Sequence, residues 1–161
     1  MNTTGVFALA FAIGIVDGLR SLTAPAVVSW AARLKWLDVQ HTWLAFLGNA
    51  VTPYVFSILA IGELVGDKLP NTPSRKAPRG FAARVVLGAF TGMTLCAATQ
   101  HSRGIGALLG GLGAVVGTLG GYEARTRLVK GLRVPDFVIA LLEDAVAIGG
   151  GLLIVSRFSP G

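Results

Sequence analysis

Asp17, Arg20, Glu63, Asp67, Glu143 and Asp144 lie inside or at the edge of long apolar runs, where ionised side chains are expensive. Near the centre of a bilayer each costs roughly 2.5–3.5 kcal/mol on insertion scales. Such groups must therefore face the interior of a bundle, pair with one another, or line a wet cavity. Glu63 and Asp67 are spaced i, i+4 and share one helical face. Glu143 and Asp144 sit well within the last apolar segment. Two chemistries suit these residues. The acids can pair with Arg20, Arg84 or Arg103 and lock a bundle. Alternatively they bind a cation or proton at mid-membrane, with Arg20 neutralising them or holding an anionic solute.

The stretch Asp17-Gly18-Leu19-Arg20-Ser21-Leu22-Thr23-Ala24-Pro25 interrupts an apolar run with two charges and the hydroxyls of Ser21 and Thr23. An unwound backbone here would offer carbonyls to a cation, and the helix that restarts after it would offer N–H groups to an anion. An ordinary polar turn is the alternative. Lys68 and Arg75 could contact lipid phosphates. Their spacing echoes the first motif of membrane lipid phosphatases, but Lys76 stands where that motif needs Pro, and no Pro-Ser-Gly-His follows. The further aspartates of CDP-alcohol phosphotransferases are missing too, and no glycine run continues into Gly-Lys-Ser/Thr. His41 and His101 are expected at helix ends. No cofactor is implied, no catalytic residue stands out, and no metal is specified.

These groups need elements to hold them, and the composition says which kind. The chain has 161 residues, enough for one domain spanning 1–161. Residues of the types AVILMFWYC make up 53% and charged residues 14%, against about 25% charged in a soluble domain. Mean hydropathy is +0.67. There is too little polar surface to solvate a globule, so membrane lipids are the expected surroundings. The net charge of +6 does not indicate nucleic acid, because the basic residues fill gaps between apolar runs without interleaved aromatics. Cys96, the single cysteine, sits in an apolar run and is expected to pack as a small apolar side chain. Met1-Asn2-Thr3-Thr4 has no positive n-region, so no signal peptide is read there.

The reading is an all-α membrane protein, a bundle of five to six transmembrane helices with a broken first helix. Thr42–Val65, Phe81–Gln100, Gly104–Gly121 and Val134–Phe158 have the length and apolarity of spans. The stretch before them is either one tilted helix broken at its middle or two half-length elements forming a re-entrant hairpin. Both versions place residues 17–21 against protein or water. The basic loops 66–84 and 122–133 are expected in the cytoplasm of a bacterium, with the protein in its inner membrane. Pro53 leading to Glu63 and Pro135 leading to Glu143 suggest an inverted repeat of halves 1–80 and 81–161. Gly106, Gly110, Gly113, Gly117 and Gly121 form a small-residue stripe suited to close helix contact, through which a homo-oligomer is expected.

Gly18–Pro25, Glu63–Pro70 with Thr72–Arg75, the Gly/Ala-rich fourth segment and Glu143-Asp144-Ala145 together resemble a family of small bacterial membrane proteins catalogued only as a domain of unknown function. The resemblance covers nearly the whole chain and implies an inner-membrane protein, without supplying an activity or a functional residue. The leading functional expectation is a transporter or channel for an ion or small solute, with Asp17, Arg20, Ser21, Thr23, Glu63, Asp67, Glu143 and Asp144 at its polar site. A membrane enzyme acting on lipid head groups through Asp67, Lys68 and Arg75, or a non-catalytic scaffold, are the rivals.

Overall fold

The computed structural model describes residues 1–66, 78–132 and 135–160. Asp67, Lys68 and Arg75 lie outside them. The described residues form six α-helices, α1 (Thr3–Leu19), α2 (Thr23–Arg33), α3 (Thr52–Gly66), α4 (Pro78–Ala98), α5 (Arg103–Leu132) and α6 (Asp136–Ser156), with a 3-10 helix over Trp43–Gly48. The helices α4, α5 and α6 are long and apolar enough to cross a membrane, while α1 and α3 are shorter apolar helices. Large apolar side chains such as Ile58, Leu108, Leu112, Val146 and Leu153 face outward. That is the surface of a membrane protein, in which lipid takes the place of water.

The first apolar run breaks and turns back. Val16 on α1 and Val27 on α2 both pack at the level of Gly151 on α6. Between them Arg20 reaches Asp144, about two turns of α6 nearer its start. Trp30, further along α2, donates its indole N–H to Ser57 Oγ, while the start of α2 meets Glu63. Thus α2 runs antiparallel to α3 and opposite in direction to α1. Of the two readings of this stretch, the contacts select the hairpin, although α1 at 17 residues is longer than half a span and only α2 at 11 is short. Pro25 fits there because it lies in the first turn of α2, where no intrahelical donor is lost. Nine of the eleven residues of α2 are buried, so protein rather than lipid surrounds it.

The apolar stretch Thr42–Val65 is not one helix, contrary to the sequence reading. Pro53 removes a donor, clashes with the carbonyl four residues back, and keeps Thr52 out of a preceding helix. The chain therefore makes the short 3-10 turn, capped by Thr42 Oγ1 accepting from Leu44 N–H, and begins α3 afresh at Thr52. The reverse correction applies to residues 122–132. They were expected as loop, but α5 continues through them, with Glu123 and Arg127 paired one turn apart on the surface.

Glycine decides how closely α1, α4 and α5 approach. A Cβ on Gly110 would lie 2.0 Å from the Gly88 carbonyl oxygen, and one on Gly14 would lie 2.0 Å from that of Gly110. Gly113 and Gly117 meet the carbonyls of Phe11 and Ile15 in the same way. The stripe expected to join subunits is thus occupied within the chain by α1 and α4. At the end away from the basic loops, His101 bonds Thr99 Oγ1 at 3.1 Å and Thr3 Oγ1 at 3.3 Å, tying the start of α1 to the α4–α5 corner. Gly110→Ala should destabilise the detergent-solubilised protein by about 1–3 kcal/mol through overpacking. Gly120→Ala, where nothing lies within 4 Å, should not lower the unfolding temperature and should raise it slightly, because Ala favours a helix interior over Gly.

Candidate functional site

The break between α1 and α2 leaves backbone donors and charged side chains inside the bundle, and four helices answer them. Glu63, near the end of α3, serves as the cap that α2 lacks from its own sequence. Its Oε1 accepts from Ser21 N–H at 2.9 Å and from the Ser21 hydroxyl at 2.5 Å, and its Oε2 accepts from Leu22 N–H at 2.8 Å. A carboxylate at a helix N-terminus satisfies orphan donors and matches the dipole at once. Arg84 on α4 approaches the same carboxylate, with Nη2 4.0 Å from Oε1.

Arg20 is fully buried and holds Asp144 of α6 through an Nη2–Oδ1 contact of 2.6 Å. Asp17, one turn earlier, is also fully buried; its Oδ2 accepts from the hydroxyl of Thr91 on α4 at 2.5 Å. On the adjoining face of α1, Thr118 of α5 donates to the Gly18 carbonyl at 3.2 Å. Thr23 is buried just beyond the break. The site so built contains Asp17, Arg20, Ser21, Thr23, Glu63, Arg84, Thr91 and Asp144.

Glu143 is not part of it. Adjacent residues on a helix diverge by about 100°, since a turn takes 3.6 residues, so Glu143 and Asp144 look in different directions. Glu143 faces α5, where Arg125 Nη1 lies 3.7 Å from its Oε2. Arg125 also binds Asp136 through Nε at 2.8 Å and Nη2 at 2.5 Å. This second cluster borders an apolar groove of about 200 Å³ between Leu19, Leu128, Ile139 and Val146. The acids that look equivalent in the two halves of the sequence, Glu63 and Glu143, therefore do different work: one caps a helix and the other joins two.

The family model described as Domain of unknown function (DUF4126) matches residues 7–157. The chain belongs to that family. The DUF4126 match takes in both charged clusters and, except for the first turn of α1, the described helices. No curated protein and no solved structure matches the chain. What the DUF4126 site can do must therefore be read from its own residues. Among the described ones, no group of three His, Cys, Asp or Glu side chains converges as a metal ion would require. His41 and His101 share a polar depression of about 300 Å³ with Asp38, Gln100 and Arg103 at the end away from the basic loops.

Sequence reasoning missed Thr91, Thr118 and the Arg125 cluster. A hydroxyl between Gly88 and Gly92 was the available sign of Thr91, since a small-residue face carrying a polar side chain marks a buried helix contact. For this DUF4126 member, Asp144→Asn should cost about 3–5 kcal/mol by removing the carboxylate that the buried Arg20 holds at 2.6 Å, whereas Arg20→Met with Asp144→Leu should recover most of that loss. Thermal unfolding of the single and double variants in one detergent checks this: losses that simply add would remove the coupling.

Proposed function

We propose that this protein is a small multi-pass transporter or channel that passes an ion or small solute across a bacterial inner membrane by way of the buried carboxylate and arginine site. The observation that carries the reading is the hairpin tip: α1 of 17 residues and α2 of 11 meet end to end against Arg20, Glu63 and Asp144 inside an apolar bundle, with Asp17 buried beside them. Broken helices at membrane depth are tolerated only where protein buries them or a cavity wets them. Intramembrane ionisable groups at such breaks are what substrate and ion pathways are made of. A scaffold could be built from ordinary apolar packing at lower energetic cost, because replacing buried ion pairs by well-packed apolar side chains is often neutral or stabilising. Among the described residues nothing favours the lipid-head-group enzyme, whose Asp67, Lys68 and Arg75 lie outside them.

Reconstitution tests the reading. Vesicles carrying the wild-type protein should show ion or solute flux above that of empty vesicles. Glu63→Gln, which keeps the shape of the cap and removes its charge, should lower the flux about tenfold, the effect expected when a contact worth about 1.4 kcal/mol is lost. A correctly folded wild-type protein that moves none of a panel of monovalent ions and small organic solutes would overturn it.

The orientation follows from the basic connections, which belong on the cytoplasmic side. The start of α1 and the end of α6 both lie at the opposite end of the bundle, so tags on either terminus should be reached by a membrane-impermeant reagent in intact spheroplasts. Protection of either tag would reverse the assignment. A homo-oligomer formed through α5 would use its outward face, where Leu108, Leu112 and Val116 are exposed, because the glycine face is taken.

A further inference from the structure

Within the charged cluster, Asp17 differs from its neighbours. Both oxygens of Glu63 are bonded to the start of α2, Asp144 faces Arg20, and Glu143 faces Arg125. Asp17 makes no ion pair among the described residues. Thr91 serves its Oδ2, while its Oδ1, equally buried, has no hydrogen-bond partner. An uncompensated buried carboxylate costs several kcal/mol, and leaving a buried acceptor empty adds about 1–3 kcal/mol. The surroundings do not supply the missing charge. Glu63 on α3 is itself an acid bonded to the start of α2, Arg84 on α4 leans toward Glu63, Arg20 is engaged with Asp144 of α6, and α5 contributes the uncharged Thr118 at this level.

The position on the helix matters as much as the charge. Asp17 lies in the last turn of α1, where carbonyls lose their helical donors and the dipole presents its negative end. Half-helix ends of this kind coordinate cations in membrane transporters. Asp17, Glu63 and Asp144 face Arg20 and Arg84, which leaves the described cluster one positive charge short. Calcium needs six to eight oxygen ligands and magnesium a near-ideal octahedron, usually with more than one carboxylate. Here the other acids are already engaged.

We infer that Asp17 binds a single small monovalent cation at its free Oδ1, near the C-terminal end of α1, with Thr91 as a positioning residue that fixes the carboxylate. This deepens the transport reading and rests on it for the fate of the ion, but the binding step can be measured alone. A sodium-sized ion and a proton satisfy the same chemistry, and the experiment separates them.

The purified full chain in detergent is unfolded thermally at constant ionic strength, with choline chloride replaced stepwise by lithium, sodium or potassium chloride. In a parallel series choline is kept and the buffer is acidified. A metal cation should raise Tm saturably, and a proton should raise the Tm of wild type relative to Asp17→Asn as pH falls. Asp17→Asn should remove the response. Thr91→Val should weaken the apparent affinity about tenfold, as loss of a ligand-orienting hydrogen bond does, and Thr91→Ser should restore it. Should Asp17→Asn fail to fold, the Thr91 pair decides: equal affinities in both variants and wild type overturn the inference. So does a wild-type protein indifferent to every monovalent cation and to pH relative to Asp17→Asn, or one that responds to calcium or magnesium instead. A cation response without flux in vesicles would remove the transport reading and keep the site. Flux and cation response both intact in Asp17→Asn would do the opposite.

Discussion

Ending one helix and starting another inside an apolar bundle strands backbone donors and acceptors where no water can reach them, and the rest of this molecule is arranged around that problem. The carboxylate of Glu63 meets the N–H groups of Ser21 and Leu22 from a different helix. Because the cap is borrowed, α3 must pass within hydrogen-bond reach of the hairpin tip, which fixes where the chain returns after the 3-10 turn. Arg20 then fixes α6 through Asp144, and Thr91 fixes α4 through Asp17. A single interruption in one apolar run thus sets the positions of three other elements.

Close backbone packing complements this. Where α1, α4 and α5 meet, carbonyl oxygens approach glycine Cα positions so nearly that no side chain fits. Lipid tails give helices no hydrophobic reason to associate, so association relies on such contact and on interhelical polar bonds. The two devices divide the hairpin: α1 is held along its length by glycine contacts, while its tip is held by charge. The short α2 leans on branched side chains, as Val27 does at Gly151, and on the indole bond from Trp30.

Much of this was legible before any coordinates. Hydropathy alone gives the membrane class, since 14% charged residues cannot cover a soluble domain. The polar interruption at 17–21 marked the break, and the cost of buried charge singled out Asp17, Arg20, Glu63, Asp67, Glu143 and Asp144, four of which meet at the hairpin tip. The pattern could not say that Glu143 belongs elsewhere, because a 100° turn between neighbours is invisible without knowing which helix lies on which side. It overestimated the third apolar stretch because hydropathy ignores what Pro53 does to a backbone. It read the glycine stripe of α5 as a close helix contact, which α1 and α4 make, but spacing reveals that a close neighbour exists without revealing whose it is. Residues such as Thr91, whose role depends on what faces it, carried the weakest signal of all.

The hairpin is fastened unequally at its two ends. At its mouth, His101 holds Thr3 by a bond that water can replace at little cost, because an exposed neutral hydrogen bond is exchanged for another of similar strength. At its tip, parting Arg20 from Asp144 would strand two ions in an apolar medium. Loosening at the mouth is therefore confined to the first turn of α1, because Val6, Ala10 and Ile13 behind it are fully buried and Gly14 lies against the backbone of α5.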